Sequence, residues 1–98
     1  PNLVLGINDA ANNPVRSVNV FPNPASDQLT ISIQNDGLKE CRLEIRNIVG
    51  QTVWTSLEQN VPAGVLRLDV DVKELASGMY TLRVADDQNA RTVKFVKN

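Results

Sequence analysis

At 98 residues the chain carries about one domain's worth of sequence, enough for a single core and too little for two. Ten Lys and Arg stand against eleven Asp and Glu, so no long-range field of one sign draws the chain to nucleic acid or to an anionic membrane. Histidine is absent and Cys41 is the one thiol, which removes the commonest general base, the usual zinc ligands and every Ser/His/Asp or Cys/His arrangement; no enzyme and no cofactor is expected.

No apolar run approaches the ~20 residues of a membrane span, and the first residues lack the charged and apolar regions of a signal peptide. The sequence opens at Pro1 without Met, as expected of a piece of a longer precursor. Pro1 to Arg16 holds a small apolar cluster, Leu3 to Ile7, and then a stretch rich in Asn, Ala and Asp. That composition suits a flexible leader from a preceding domain, and the folded unit is expected from Ser17 to Asn98.

From Ser17 onward, short apolar runs alternate with turn signals. Val18 to Phe21 is the first expected strand. Pro22 and Pro24 then fix φ and remove two donors, while pushing Phe21 and Asn23 out of the helical region, so the segment is a stiff corner. After it, Leu29, Ile31 and Ile33 alternate with polar residues from Gln28 to Gln34, the pattern of a half-buried strand. Asn35-Asp36-Gly37 is a turn, and Cys41 to Asn47 is a third strand with Leu43 and Ile45 inward. Cys41 falls in phase with them and reads as a small buried hydrophobe rather than a reactive thiol.

Asn47 to Gln51 ends that strand in a hairpin whose Gly50 can take the left-handed conformation. Thr52 to Leu57 is a fourth strand with Val53 and Leu57 on one face and Trp54, out of phase, partly exposed at the rim. Pro62 to Gly64 is a turn, and the fifth strand, Val65 to Val70, turns Leu66, Leu68 and Val70 inward. Lys73 to Ser77 is expected to be a single helical turn stopped by Gly78. Met79 to Ala85, with Tyr80, Leu82 and Val84 inward, and Ala90 to Val96, with Val93 and Phe95 inward, complete the set. Asp69, Asp71, Asp86 and Asp87 lack the regular spacing of a calcium loop, and a solvated face is expected. The fold class that follows is all-β, an immunoglobulin-like antiparallel β-sandwich of about seven strands.

Four pieces, VFPNPASDQLTISI, IRNIVGQTVW, LASGMYTLRV and RTVKFVKN, resemble in order and spacing one family: the C-terminal sorting domain of the type IX secretion system, type A. Carried over by position, the corner motif falls on Pro22, Asn23 and Pro24, and the hairpin motif on Asn47, Gly50 and Gln51. The late motif falls on Gly78, Tyr80 and Arg83, and the terminal basic motif on Lys94 and Lys97. From the residues alone, the prolines and glycines read as backbone requirements, Tyr80 as core with its hydroxyl at the rim, and the two lysines as a solvated edge that discourages aggregation.

The resemblance implies a noncatalytic signal that directs an N-terminal cargo domain through an outer-membrane translocon, with shuttle proteins and a sortase-like surface protease as partners. The cargo would cross the periplasm and end at the cell surface of a Gram-negative bacterium or outside it. The family's processing point lies ahead of the sandwich beside small residues, which singles out Gly6, Ala10 and Ala11. A homodimer through edge strands is a further expectation. The competing readings are a carbohydrate-binding or adhesive sandwich, for which Trp54 is the available platform, and a plain spacer.

Overall fold

Seven runs of alternating apolar residues become seven strands in the computed structural model, which describes residues 13–98. They are β1 (Val15–Phe21), β2 (Gln28–Asn35), β3 (Leu38–Arg46), β4 (Thr52–Val61), β5 (Gly64–Asp71), β6 (Gly78–Ala85) and β7 (Ala90–Lys97). One sheet has the order β1-β2-β5 and the other β4-β3-β6-β7, with every neighbouring pair antiparallel. Their inner faces share one core, so the architecture is the sandwich expected from the sequence.

Period-2 patterning decides what lies inside. Leu29, Ile31 and Ile33 of β2 meet Cys41, Leu43 and Ile45 of β3 with Tyr80, Leu82 and Val84 of β6 and Phe95 of β7, all buried. Each large apolar side chain removed from water in this way contributes about 1.5 to 3 kcal/mol. Val18, Val20, Leu66, Leu68, Leu75 and Val93 are half-buried and close the margins. Cys41 is a packed core thiol; burial pushes its pKa up to about 11, with the Asp86 and Glu58 carboxylates adding to the shift.

The fourth strand runs in the opposite phase to the one its apolar residues suggest. Val53 and Leu57 do share a face, but it is the outer one, where they are 38% and 51% exposed. Pairing across β3 is the cause: Ile45, Leu43 and Cys41 stand opposite Trp54, Ser56 and Glu58, so the core face of β3 continues onto those residues. The register slips between Ile45 and Arg46, which face Trp54 and Thr52, leaving Val53 as the extra residue of a bulge. Trp54 thereby packs against the margin of the core.

Strand ends also differ from expectation. β3 begins at Leu38 and β4 reaches Val61 because those two buried side chains pair with each other. Asn35 is buried between them and β5; its Oδ1 accepts the Gly37 amide at 2.7 Å and its Nδ2 donates to the Gly64 carbonyl at 3.2 Å. β1 begins at Val15, whose amide is taken by Asn13 Oδ1 at 2.9 Å. The single helical turn at Lys73 to Ser77 does not form. Asp71 Oδ1 accepts the Lys73 amide at 2.9 Å and Val72 O accepts the Leu75 amide at 3.0 Å, closing a non-helical turn that Val72 and Leu75 pin to the core.

Candidate functional site

The antiparallel order brings to one end of the sandwich the finish of β1, β3, β5 and β7 and the start of β2, β4 and β6. The corner, the β3–β4 turn, the segment before β6 and the last residues of β7 therefore gather there, although they are spread along the sequence. Two of the four motif groups, the start of the third and the C-terminal part of the fourth thus become neighbours through topology alone.

The corner and β7 are joined directly. Asn23 Oδ1 accepts the Val96 amide at 2.9 Å, Ala25 N donates to Val96 O at 2.8 Å, and Asn98 N donates to Ala25 O at 2.8 Å. Ala25, fully buried, makes a parallel bridge to Lys97. Pro22, Asn23 and Pro24 stay exposed above this clip. Asn23 thus caps backbone that belongs to the far end of the domain.

Beneath the clip, the Phe95 ring stacks on Tyr80 with centroids 5.6 Å apart and planes 19° from parallel. The Tyr80 hydroxyl donates to the Ala76 carbonyl at 2.6 Å, which holds the turn before β6. Gly78 pairs with Lys97 at φ 149°, a region that favours glycine, and it opens a strand rather than stopping a helix.

The terminal lysines separate. Lys94 is exposed on the outer face of the four-stranded sheet, whereas Lys97, read with it as a solvated edge residue, is only 8% exposed and lies on the core side in phase with Phe95. Its stem covers the end of the sandwich and its Nζ donates to the Asn98 carbonyl at 3.0 Å, so the long aliphatic chain is buried while the charge keeps a polar partner.

In the β3–β4 turn, Asn47 Oδ1 accepts the amides of Val49 and Gln51 at 3.1 and 3.0 Å, and its Nδ2 donates to Gln51 Oε1 at 2.9 Å. Gly50 follows at φ 87°. This rigid loop lifts Ile48 and Val49 into solvent, 82% and 73% exposed, beside a shallow depression lined by Asn47, Ile48, Met79, Tyr80, Thr81 and Lys94. Met79 and Val96, paired across β6 and β7, are also exposed. Exposed large apolar side chains therefore cluster at this end of the sandwich. Sequence reading missed Ile48, Val49 and Met79; the signal was present in IVG, two apolar residues in a turn where polar ones are usual. Arg83 is the motif residue that lies elsewhere, exposed in the middle of β6. Gly6, Ala10 and Ala11 lie outside the described residues.

The family described as secretion system C-terminal sorting domain matches residues 19–98. The chain belongs to this family. A relative in Nonlabens ulvanivorans, ulvan lyase NLR42, is 32% identical over 85 residues, which cover 86% of this chain and 15% of that protein. The sorting domain thus spans a small part of the relative it matches. Among solved structures, PorZ, described as an essential surface component of the type-IX secretion system of Porphyromonas gingivalis, superposes with a TM-score of 0.64 at 20% identity. That match covers 85% of the sorting domain and 12% of PorZ, and it is a likeness of fold. Recognition of the type IX sorting family from the four sequence pieces thus agrees with the family match.

Proposed function

We propose that this sorting domain is the noncatalytic address by which a preceding cargo domain is passed through the type IX outer-membrane translocon and delivered to the cell surface or beyond. The observation that carries the reading is the gathering of the corner, the β3–β4 turn, Tyr80 and the end of β7 at one end of the sandwich, beside exposed Ile48, Val49 and Met79. Shuttle proteins would meet the domain in the periplasm. A sortase-like surface protease would then cut ahead of β1, near Gly6, Ala10 or Ala11, and attach the cargo. Limited proteolysis should accordingly cut first within Pro1 to Arg16; first cuts inside Gln28 to Ala85 would refute the division into leader and domain.

Loss of Val96 to Asn98 tests the address itself, because it removes the partners of Asn23 and Ala25 while leaving Phe95 in the core. With the truncated domain still folded by circular dichroism, surface display of a cargo fused ahead of it should collapse. Undiminished display would refute the sorting role of this end. The carbohydrate-binding alternative draws no support from Trp54, whose ring packs against the core margin instead of standing free as a stacking platform.

A further inference from the structure

Arg83, left out of the gathered end, stands on the outer face of the four-stranded sheet in a distinct setting. Register places it opposite Glu44, with Arg42 and Arg46 two residues to either side of Glu44 on β3 and Lys94 across Thr81 from Arg46. Arg42, Glu44, Arg46 and Arg83 line a shallow groove walled by Thr55 and Leu57 of β4. Glu44 is committed to Arg46, with Oε1 2.9 Å from Nη2. Among the described residues, Arg42, Arg83 and Lys94 have no carboxylate within salt-bridge distance.

In a chain with a net charge of −1, this face thus carries four cations, Arg42, Arg46, Arg83 and Lys94, against Glu40 and Glu44, and three of the four are without an ion-pair partner among the described residues. The opposite sheet differs: on β5, Arg67 lies over the Phe21 ring at 5.5 Å and is followed by Asp69 and Asp71, so its charges are mixed. Along β3 the signs also alternate, Glu40, Arg42, Glu44 and Arg46, so what sets this face apart is the basic excess left by Arg42, Arg83 and Lys94.

We propose that this groove docks an extended acidic segment of a protein of the export machinery, with carboxylates seated on Arg42 and Arg83; the inference rests on the sorting role above. Arg42 and Arg83 are diagonal neighbours, with Cα atoms about 7 Å apart. Two acidic residues on the same side of an extended peptide, separated by one residue, are spaced by about 6.7 Å. The two guanidinium forks fit two such carboxylates, and bidentate pairing adds direction to the attraction. Leu57, half-exposed beside Arg42, gives the segment's aliphatic groups an apolar wall that a bare polyanion does not use. Arg83, a motif position with no structural partner of its own, thereby acquires a task.

The test is surface display of a folded reporter fused ahead of the complete chain in a bacterium with a type IX system. Arg42→Glu with Arg83→Glu should lower display at least about tenfold at unchanged melting temperature, while Arg67→Glu on the other sheet leaves it intact. If the double glutamate variant does not fold, Arg42→Gln with Arg83→Gln removes both charges while keeping polar stems, and the same loss is expected. Display equal to the unaltered chain in the folded variant overturns the docking groove while leaving the sorting role standing. Failure of the unaltered chain itself to be displayed overturns the sorting role, and this inference with it. In solution, the complete chain should bind immobilised poly-L-glutamate in a salt-sensitive manner that the double substitution weakens. Binding to phosphatidylglycerol vesicles without binding to poly-L-glutamate would overturn the protein partner in favour of a lipid surface.

Discussion

Asn23 and Asn47 perform the same chemistry over different spans of chain. Asn47 Oδ1 takes amides two and four residues ahead, whereas Asn23 Oδ1 takes the amide of Val96, 73 residues away. The β3–β4 turn is thus complete as soon as its own few residues are in place. The corner closes only when both sheets have assembled and β7 has docked, since the entropy of so long a loop must first be offset by the core between. Two motifs of one family divide accordingly into a part that is locally built and a part that reports on the whole domain.

The harshest way to break the comparison is to remove what holds β7 in place. Phe95→Ala deletes a fully buried ring stacked on Tyr80 and should cost about 3 to 5 kcal/mol in urea unfolding. Hydrogen exchange in the folded variant should speed up at the Val96 amide and stay slow at Gln51. Equal loss of protection at both would mean that the two regions open together.

A milder cut tests each asparagine alone. Asn23→Ala should cost about 1 to 2 kcal/mol and expose the Val96 amide to exchange, with a drop in display of a fused cargo. Asn47→Ala should cost about 1 kcal/mol, and its exchange changes should be confined to Val49 and Gln51. Changes at Val96 in the second variant would couple the turn to the clip and erase the distinction.

The gentlest probe leaves every residue of both regions in place and raises the pH. Neither asparagine titrates, so the contrast between them should persist, whereas the core beneath β3 should respond through Cys41. Its ordinary pKa of 9.0 is raised to about 11 in the fold. Below 9 the thiol is protonated folded and unfolded; between 9 and 11 the unfolded chain has shed a proton that the folded one keeps. The stability contributed by Cys41 is therefore full below pH 9 and is lost as the pH rises toward 11. Urea midpoints at pH 8 and 10.5 should differ more in the unaltered domain than in Cys41→Ala. Identical differences would show that Cys41 is not shielded.

Much of the sandwich was legible because one face of each central strand is apolar throughout: Leu29, Ile31 and Ile33 leave β2 no second choice of phase, and Tyr80, Leu82 and Val84 do the same for β6. β4 was misread for the corresponding reason. It carries Val53 and Leu57 on its solvent side and Ser56 and Glu58 on its inner side, so pairing with β3 and a bulge, not its own pattern, set its phase. Lys97 was misplaced because a charged head says nothing of where the stem lies. The Asn23 bond to Val96 has no signature at all in sequence, since nothing local to either residue names the other. The motif groups can be written down in order from the chain, but only the sheet order shows that all of them except Arg83 draw toward one end.

The clip between Ala25 and Lys97 makes the corner register whether the end of β7 is in place. A copy broken off before Val96 still contains the whole corner and the whole β3–β4 turn, yet the corner is left with an idle asparagine oxygen and an unclaimed Ala25 amide. The seal forms only where Val96 to Asn98 are present, so the shape at that end distinguishes chains that carry these residues from fragments that lack them.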